Sequence, residues 1–207
     1  MSRIPPPRVA FVEETRILSR DGLNYLNSIS EDRLASVEAL IQILMRENDS
    51  AASPLPCAFA AYLSADTANN KTGDGTAYTV ICDTEQFDTG GNYNPATGLF
   101  TAPVAGQYHF AGHATVINCG AAHTAGTSSI VTSAGKTYRG GFVNPFVAGI
   151  VGGICGFGVS ATVQLAAAET VSLATTVANG AKTVGVFSAT PGTLLATFFT
   201  GHRIVTL

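Results

Sequence analysis

Residues 91–110 read GNYNPATGLFTAPVAGQYHF, and the order of turns and strands in them decides the fold. Asn94-Pro95-Ala96-Thr97-Gly98 is a turn, because the proline fixes φ and the glycine is free to take a positive one. Leu99–Thr101 follows as a short strand, and the segment from Pro103 to Gly106 turns the chain again. From Gln107 the side chains alternate. Tyr108, Phe110, Ala114 and Val116 fall on one face, and Gln107, His109, His113 and Thr115 fall on the other.

The same texture runs from Cys57 to the C-terminus. CAFAAYLSA, AYTVICDTEQF, SSIVTS, KTYRGGF, VSATVQLA, TVSLATTV, VGVFSA and LATFFTGHRIVTL are short alternating runs separated by Gly, Asn, Asp and Pro. About eight to ten strands with turn signals every ~8–15 residues predict an all-β sandwich or jelly roll. Composition agrees: 46% of the 207 residues are hydrophobic, 12% are charged, and there are 22 glycines and no tryptophan. A chain so poor in charge has little with which to solvate a monomer surface, so it is expected to hide surface against copies of itself.

The segments in front differ. Residues 1–18, MSRIPPPRVAFVEETRIL, open with consecutive prolines, which favour an extended path that builds no core of its own. Pro5, Pro6, Pro7, Val9 and Phe11 are therefore read as a docking tail. Residues 19–47 take helical spacing, with Ser30 as N-cap and Glu31 and Asp32 in the positive first turn. Leu34, Val37, Ile41 and Leu44, widened by Leu40, form a short coiled-coil seam. Packing against the chain's own domain is the alternative; self-association is preferred because the linker NDSAASPLP, residues 48–56, follows at once. The knob is then 57–207.

Residues 87–114, FDTGGNYNPATGLFTAPVAGQYHFAGHA, resemble the most characteristic segment of the complement component 1q globular-head family, within the wider tumour-necrosis-factor-like group. Phe87, Tyr93, Pro95, Gly98, Phe100, Pro103, Gly106, Tyr108 and Phe110 carry the match, and AFAAYLSA and ATFFTGHRIV are similar to the family's first and closing strands. The resemblance implies a ten-stranded jelly roll that packs as a homotrimer, with those motif residues in the knob core. No Gly-x-y repeat precedes the knob, so a collagen stalk is excluded for this part. The layout of proline-led tail, brief coil and knob instead resembles tailed-bacteriophage virion proteins.

Catalytic motifs fail on inspection. His109 and His113 would share a metal on a helix, but on a strand they stand about 13 Å apart. AGKT, residues 134–137, lacks the first glycine of a phosphate loop, and GFGVSA, residues 156–161, runs into strand rather than helix. No G-x-S-x-G occurs. Asp66, Asn69, Asn70 and Asp74 are oxygen ligands in one loop, where calcium is the single cofactor to consider and an ordinary exposed loop is preferred. Cys57, Cys82, Cys119 and Cys155 lack metal or disulfide spacing and are read as free, buried hydrophobes. No secretory signal is visible, and folding in a reducing cytosol is expected.

A net charge of −3 without a basic cluster argues against nucleic acid. The Gly-rich apolar run NPFVAGIVGGICGFG, residues 144–158, is too short and too broken to span a membrane. It is read as a buried strand pair or trimer-axis contact, with a receptor-facing tip the alternative; Phe142, Phe146 and Ile150 are the residues concerned. The functional expectation is a bacteriophage virion protein, assembled in the host bacterial cytoplasm. It would be a fibre or spike docked on another virion protein through its tail and binding a host receptor or glycan through its knob. A capsid decoration or cement protein is the alternative within that class. A tailspike enzyme and a bacterial lectin-like module are the rivals from other classes.

Overall fold

Two β-sheets face each other across an aromatic core in the C-terminal part of the chain. The structure, a computed structural model, describes residues 31, 33, 35–41, 57–149, 153–188 and 193–204. The chain divides into two units, 1–53 and 54–207. In the first, residues 31, 33 and 35–41 are helical, and Val37, Leu40 and Ile41 are all exposed. Leu34 and Leu44, the tail residues Pro5, Pro6, Pro7, Val9 and Phe11, and the linker 48–56 lie outside the described residues.

The second unit contains β1 (Ala58–Tyr62), β2 (Ala77–Thr79), β3 (Thr84–Thr89), β4 (Tyr93–Asn94), β5 (Leu99–Thr101), β6 (Gly106–Ile117), β7 (Ala125–Thr132), β8 (Thr137–Arg139), β9 (Cys155–Leu165), β10 (Thr170–Ala178), β11 (Gly185–Phe187) and β12 (Phe198–Arg203). One sheet runs β9-β6-β12-β1-β3, with β11 continuing the line of β12 along β6. The other runs β4-β5-β10-β7-β8, with β2 continuing the line of β5 along β10. The expected ten strands thus become ten positions filled by twelve segments. Two lines are interrupted by excursions of the chain. At the β11–β12 break, Thr115 donates its backbone N–H to Thr197 Oγ1 at 3.0 Å and its hydroxyl to Ala196 O at 2.7 Å.

The core follows from the alternation in β6. Tyr108, Phe110, Ala114 and Val116 point inward and are fully buried. Phe59 stacks on Tyr93 at 4.7 Å and on Phe100 at 5.3 Å, and meets Phe199 edge-on at 5.1 Å. Phe100 in turn meets Phe110 at 5.3 Å, so first, middle and last strands share one ring cluster. The turn before β5 needs its glycine. Gly98 has φ +71°, and a Cβ there would sit 2.7 Å from the Val80 carbonyl oxygen.

Phe87 is a correction. The family resemblance puts it in the core, yet it is 51% exposed. Asp88 pairs with Phe59 and turns its carboxylate inward to accept the Tyr93 N–H at 2.8 Å, which leaves Phe87, opposite Ala60, on the outer face. Among its described residues, the 144–158 run holds a helical turn and the start of one strand rather than a strand pair. Asn144 caps a one-turn helix, Pro145–Ala148, by accepting from the N–H groups of Phe146 and Val147, and Cys155 then begins β9. No described helix is long and apolar enough to cross a membrane.

All four cysteines are buried and free, and burial pushes the Cys82 thiol up to about 12 and the Cys119 thiol up to about 11. At neutral pH both are therefore protonated and poorly nucleophilic. The ring cluster is the fold's main support. Phe59→Ala is expected to cost about 3–5 kcal/mol in urea denaturation at fixed protein concentration, as removal of a fully packed aromatic does.

Candidate interaction surface

The outer face of the first sheet is defined by register. Its outward positions are Thr84, Phe87 and Thr89 on β3, Ala58, Ala60 and Tyr62 on β1, and Phe198, Thr200 and His202 on β12. On β6 they are Gln107, His109, Ala111, His113, Thr115 and Ile117, and on β9 Gly156, Gly158, Ser160, Thr162 and Gln164. Leaving aside the bulge beside Glu85, these positions hold no Lys, Arg, Asp or Glu. The face is broad, carries exposed or half-exposed aromatic rings and imidazoles, and has almost no charge to hold water. The second sheet differs at its centre, where the outward Thr127, Ser129, Ser172 and Ala174 are small and buried, while Val131 and Thr176 are half-buried and Arg139 on its edge strand carries a charge.

His113 lies flat along this face. Its ring stacks on Phe198 at 6.0 Å with 15° between planes. Room for it comes from β9, where a Cβ at Gly156 would sit 2.4 Å from His113 Nε2 and one at Gly158 would sit 3.6 Å from Nδ1. The glycines of GFG are therefore a bed for the imidazole within a strand whose alternate residues, Cys155, Phe157 and Val159, are buried. Burial pushes the His113 pKa below its ordinary 6.5.

The structure does not bring His109 and His113 together; it brings His109 to His202. The two are direct cross-strand partners with ring centroids 5.6 Å apart, and His109 Nδ1 lies 3.2 Å from Thr162 Oγ1. His123, which sequence reasoning passed over, is a loop clasp. Its Nδ1 accepts the Gly120 N–H at 2.8 Å, so Nε2 carries the proton and donates to Ala181 O at 2.9 Å. A histidine flanked by glycines at both ends of a long-range contact was the available signal, but nothing local connects Gly120 with Ala181.

A second exposed area surrounds the capped helix. Phe142, Phe146 and Val147 are 66%, 52% and 77% exposed, and the Arg139 guanidinium carbon lies 5.4 Å from the Phe142 ring centroid. Ile150 lies outside the described residues. In the proposed oxygen-ligand loop, Asp66 Oδ1 accepts from the Ser188 N–H and hydroxyl, and Asp74 Oδ1 accepts from the Thr76 N–H. Among the described residues no group of three or more His, Cys, Asp or Glu side chains is placed to hold a metal.

Residues 58–137 match the profile of the C1q domain. No curated protein matches the chain in sequence. Among solved structures, the chain is similar to the globular domain of zebrafish complement 1qA protein at 15% identity and a TM-score of 0.48, covering 73% of this chain and 99% of that one. It is also similar to murine APRIL, in its crystal structure at pH 5.0, at 8% identity and a TM-score of 0.50, covering 72% of this chain and 99% of that one. The knob has the C1q/TNF-like jelly-roll fold.

Two outcomes are expected. Gly156→Val lowers the melting temperature by several degrees, and His113→Ala in the same chain restores most of the loss, as a double-mutant cycle by calorimetry will read. The unfolded chain binds a proton at His113 near 6.5 while the folded chain resists it, so this group's contribution is fully present above pH 6.5 and is lost as pH falls through the depressed folded value. His113→Gln should flatten that part of the stability profile, the fall below pH 6.5, and leave the slope above it unchanged.

Proposed function

We propose that this C1q/TNF-like chain is a homotrimeric bacteriophage virion protein, docked on the particle by its N-terminal segment and presenting the knob to a host-surface receptor or glycan. The observation that carries the reading is the uncharged outer face of the first sheet. A face with Phe87, Tyr62 and Phe198 open and no fixed charge at its regular outward positions is what a self-complementary interface presents before assembly. The exposed Val37, Leu40 and Ile41 in the helical stretch supply a second apolar stripe for the same association.

Virion membership rests on the layout of proline-led segment, helical stretch and linker in front of the knob. Four free, buried thiols suit assembly in a reducing host cytoplasm. The knob acts by binding, not by chemistry. Three weak contacts on each trimer, multiplied over several trimers, hold a particle to a cell through effective concentration. Phe142, with the Arg139 guanidinium over its ring, and Phe146 are the receptor-facing residues of this reading.

Gold-labelled antibody against the knob, imaged on intact particles, tests the assignment. Label at tail-fibre ends is expected. Label over the capsid would replace it with the head-fibre or decoration reading, and particles without label would overturn both. On a labelled particle, the double change Phe142→Ser with Phe146→Ser is expected to cut adsorption to host cells about tenfold or more while leaving the melting temperature within a degree or two. Unchanged adsorption would remove these two residues from the receptor contact.

A further inference from the structure

The outer face of the first sheet also carries a ligand set that no local motif announces. His109 on β6 and His202 on β12 are directly opposite each other, point to the same side, and hold their rings 5.6 Å apart at 47°. We propose that this cross-strand pair chelates a divalent transition cation of the zinc type.

The geometry fits. Zinc binds imidazole nitrogen at about 2.0–2.1 Å, which puts the ion roughly 3.2 Å from each ring centroid, and a tetrahedral angle at the metal then separates the centroids by about 5.2 Å. The centroid separation of the pair lies within a few tenths of an ångström of that value.

The outer shell also fits. His109 Nδ1 lies 3.2 Å from Thr162 Oγ1 on β9, and an N–H donated there leaves the lone pair on Nε2. Metal-binding histidines carry such a second hydrogen bond, which fixes the tautomer and the ring plane. His202 is exposed, and among the described residues its ring nitrogens have no hydrogen-bond partner. No lysine or arginine occupies an outward position on the three strands concerned, so no fixed positive charge opposes a cation there. Imidazole nitrogen selects zinc, copper and nickel over calcium and magnesium. Water completes the coordination and both ligands come from one chain; because they stand on the face that the assembly proposed above would cover, uptake is read at a protein dilution at which the chain is single as well as at higher concentration.

The test is zinc titration by calorimetry on the full chain, free of any histidine tag, with calcium as the comparison ion. Saturable zinc uptake and no calcium uptake are expected for the unchanged chain. His109→Gln and His202→Gln should each abolish it, Thr162→Val should weaken it about tenfold while leaving both ligands in place, and His113→Gln should leave it unchanged. Both ligand positions are at the surface, and circular dichroism will show that the variants remain folded. Zinc uptake that persists in the His109→Gln/His202→Gln double variant, or no saturable uptake by the unchanged chain, would overturn the proposal.

Discussion

Phe59 touches Tyr93, Phe100 and Phe199, and through those rings the first strand, the two halves of the opening motif and the last strand become one object. The strands have to align for the rings to meet, because a slip of one residue would send every ring to the wrong face. With Tyr108 and Phe110 locked inward on β6, the intervening side chains are forced outward. The composition of the outer face is thus a consequence of the core. His109, Ala111 and His113 stand together there because Tyr108, Phe110 and Ala114 cannot.

That outward set has little to do in a single chain. Fixed charges are missing from its regular positions, glycines at 156 and 158 make a shallow bed, and Phe198 and His113 lie flat over it. Flat, weakly hydrated and partly aromatic, the face suits the approach of another protein surface. The distribution of chemistry over the described residues suits such an approach. The thiols are buried, His123 is spent on a loop clasp, and Asp66, Asp83 and Asp88 each accept a backbone N–H through one carboxylate oxygen.

Much of this could be read before folding. The Asn94–Gly98 turn and the inward Tyr108 and Phe110 follow from turn chemistry and period, which are local; the core places of Tyr93 and Phe100 are what the family resemblance implies, and the burial of the cysteines follows from their lack of metal or disulfide spacing. Three features could not be read, for one reason. Phe87 faces outward because of its pairing with Ala60 and the bulge beside it. β9 begins at Cys155, earlier than the valine-rich run suggests, because Gly156 and Gly158 pack under an imidazole from another strand. His109 meets His202 only because β12 lies beside β6. In each case a long-range register decides, and alternation within one strand carries no information about which distant residue will be opposite.

The central claim is that the outer face of the first sheet is an assembly surface. Sedimentation equilibrium on the full chain, with and without Ala111→Lys, addresses it directly. Ala111 is half-buried at the centre of the face, between Ser160 and Thr200, and its side chain points away from the core. The account predicts a mass of about 64 kDa, three times the 21.3 kDa chain, falling to the single-chain mass in the variant with its circular dichroism retained. A single-chain mass for the unchanged protein, or a trimer indifferent to a lysine at that position, would contradict it.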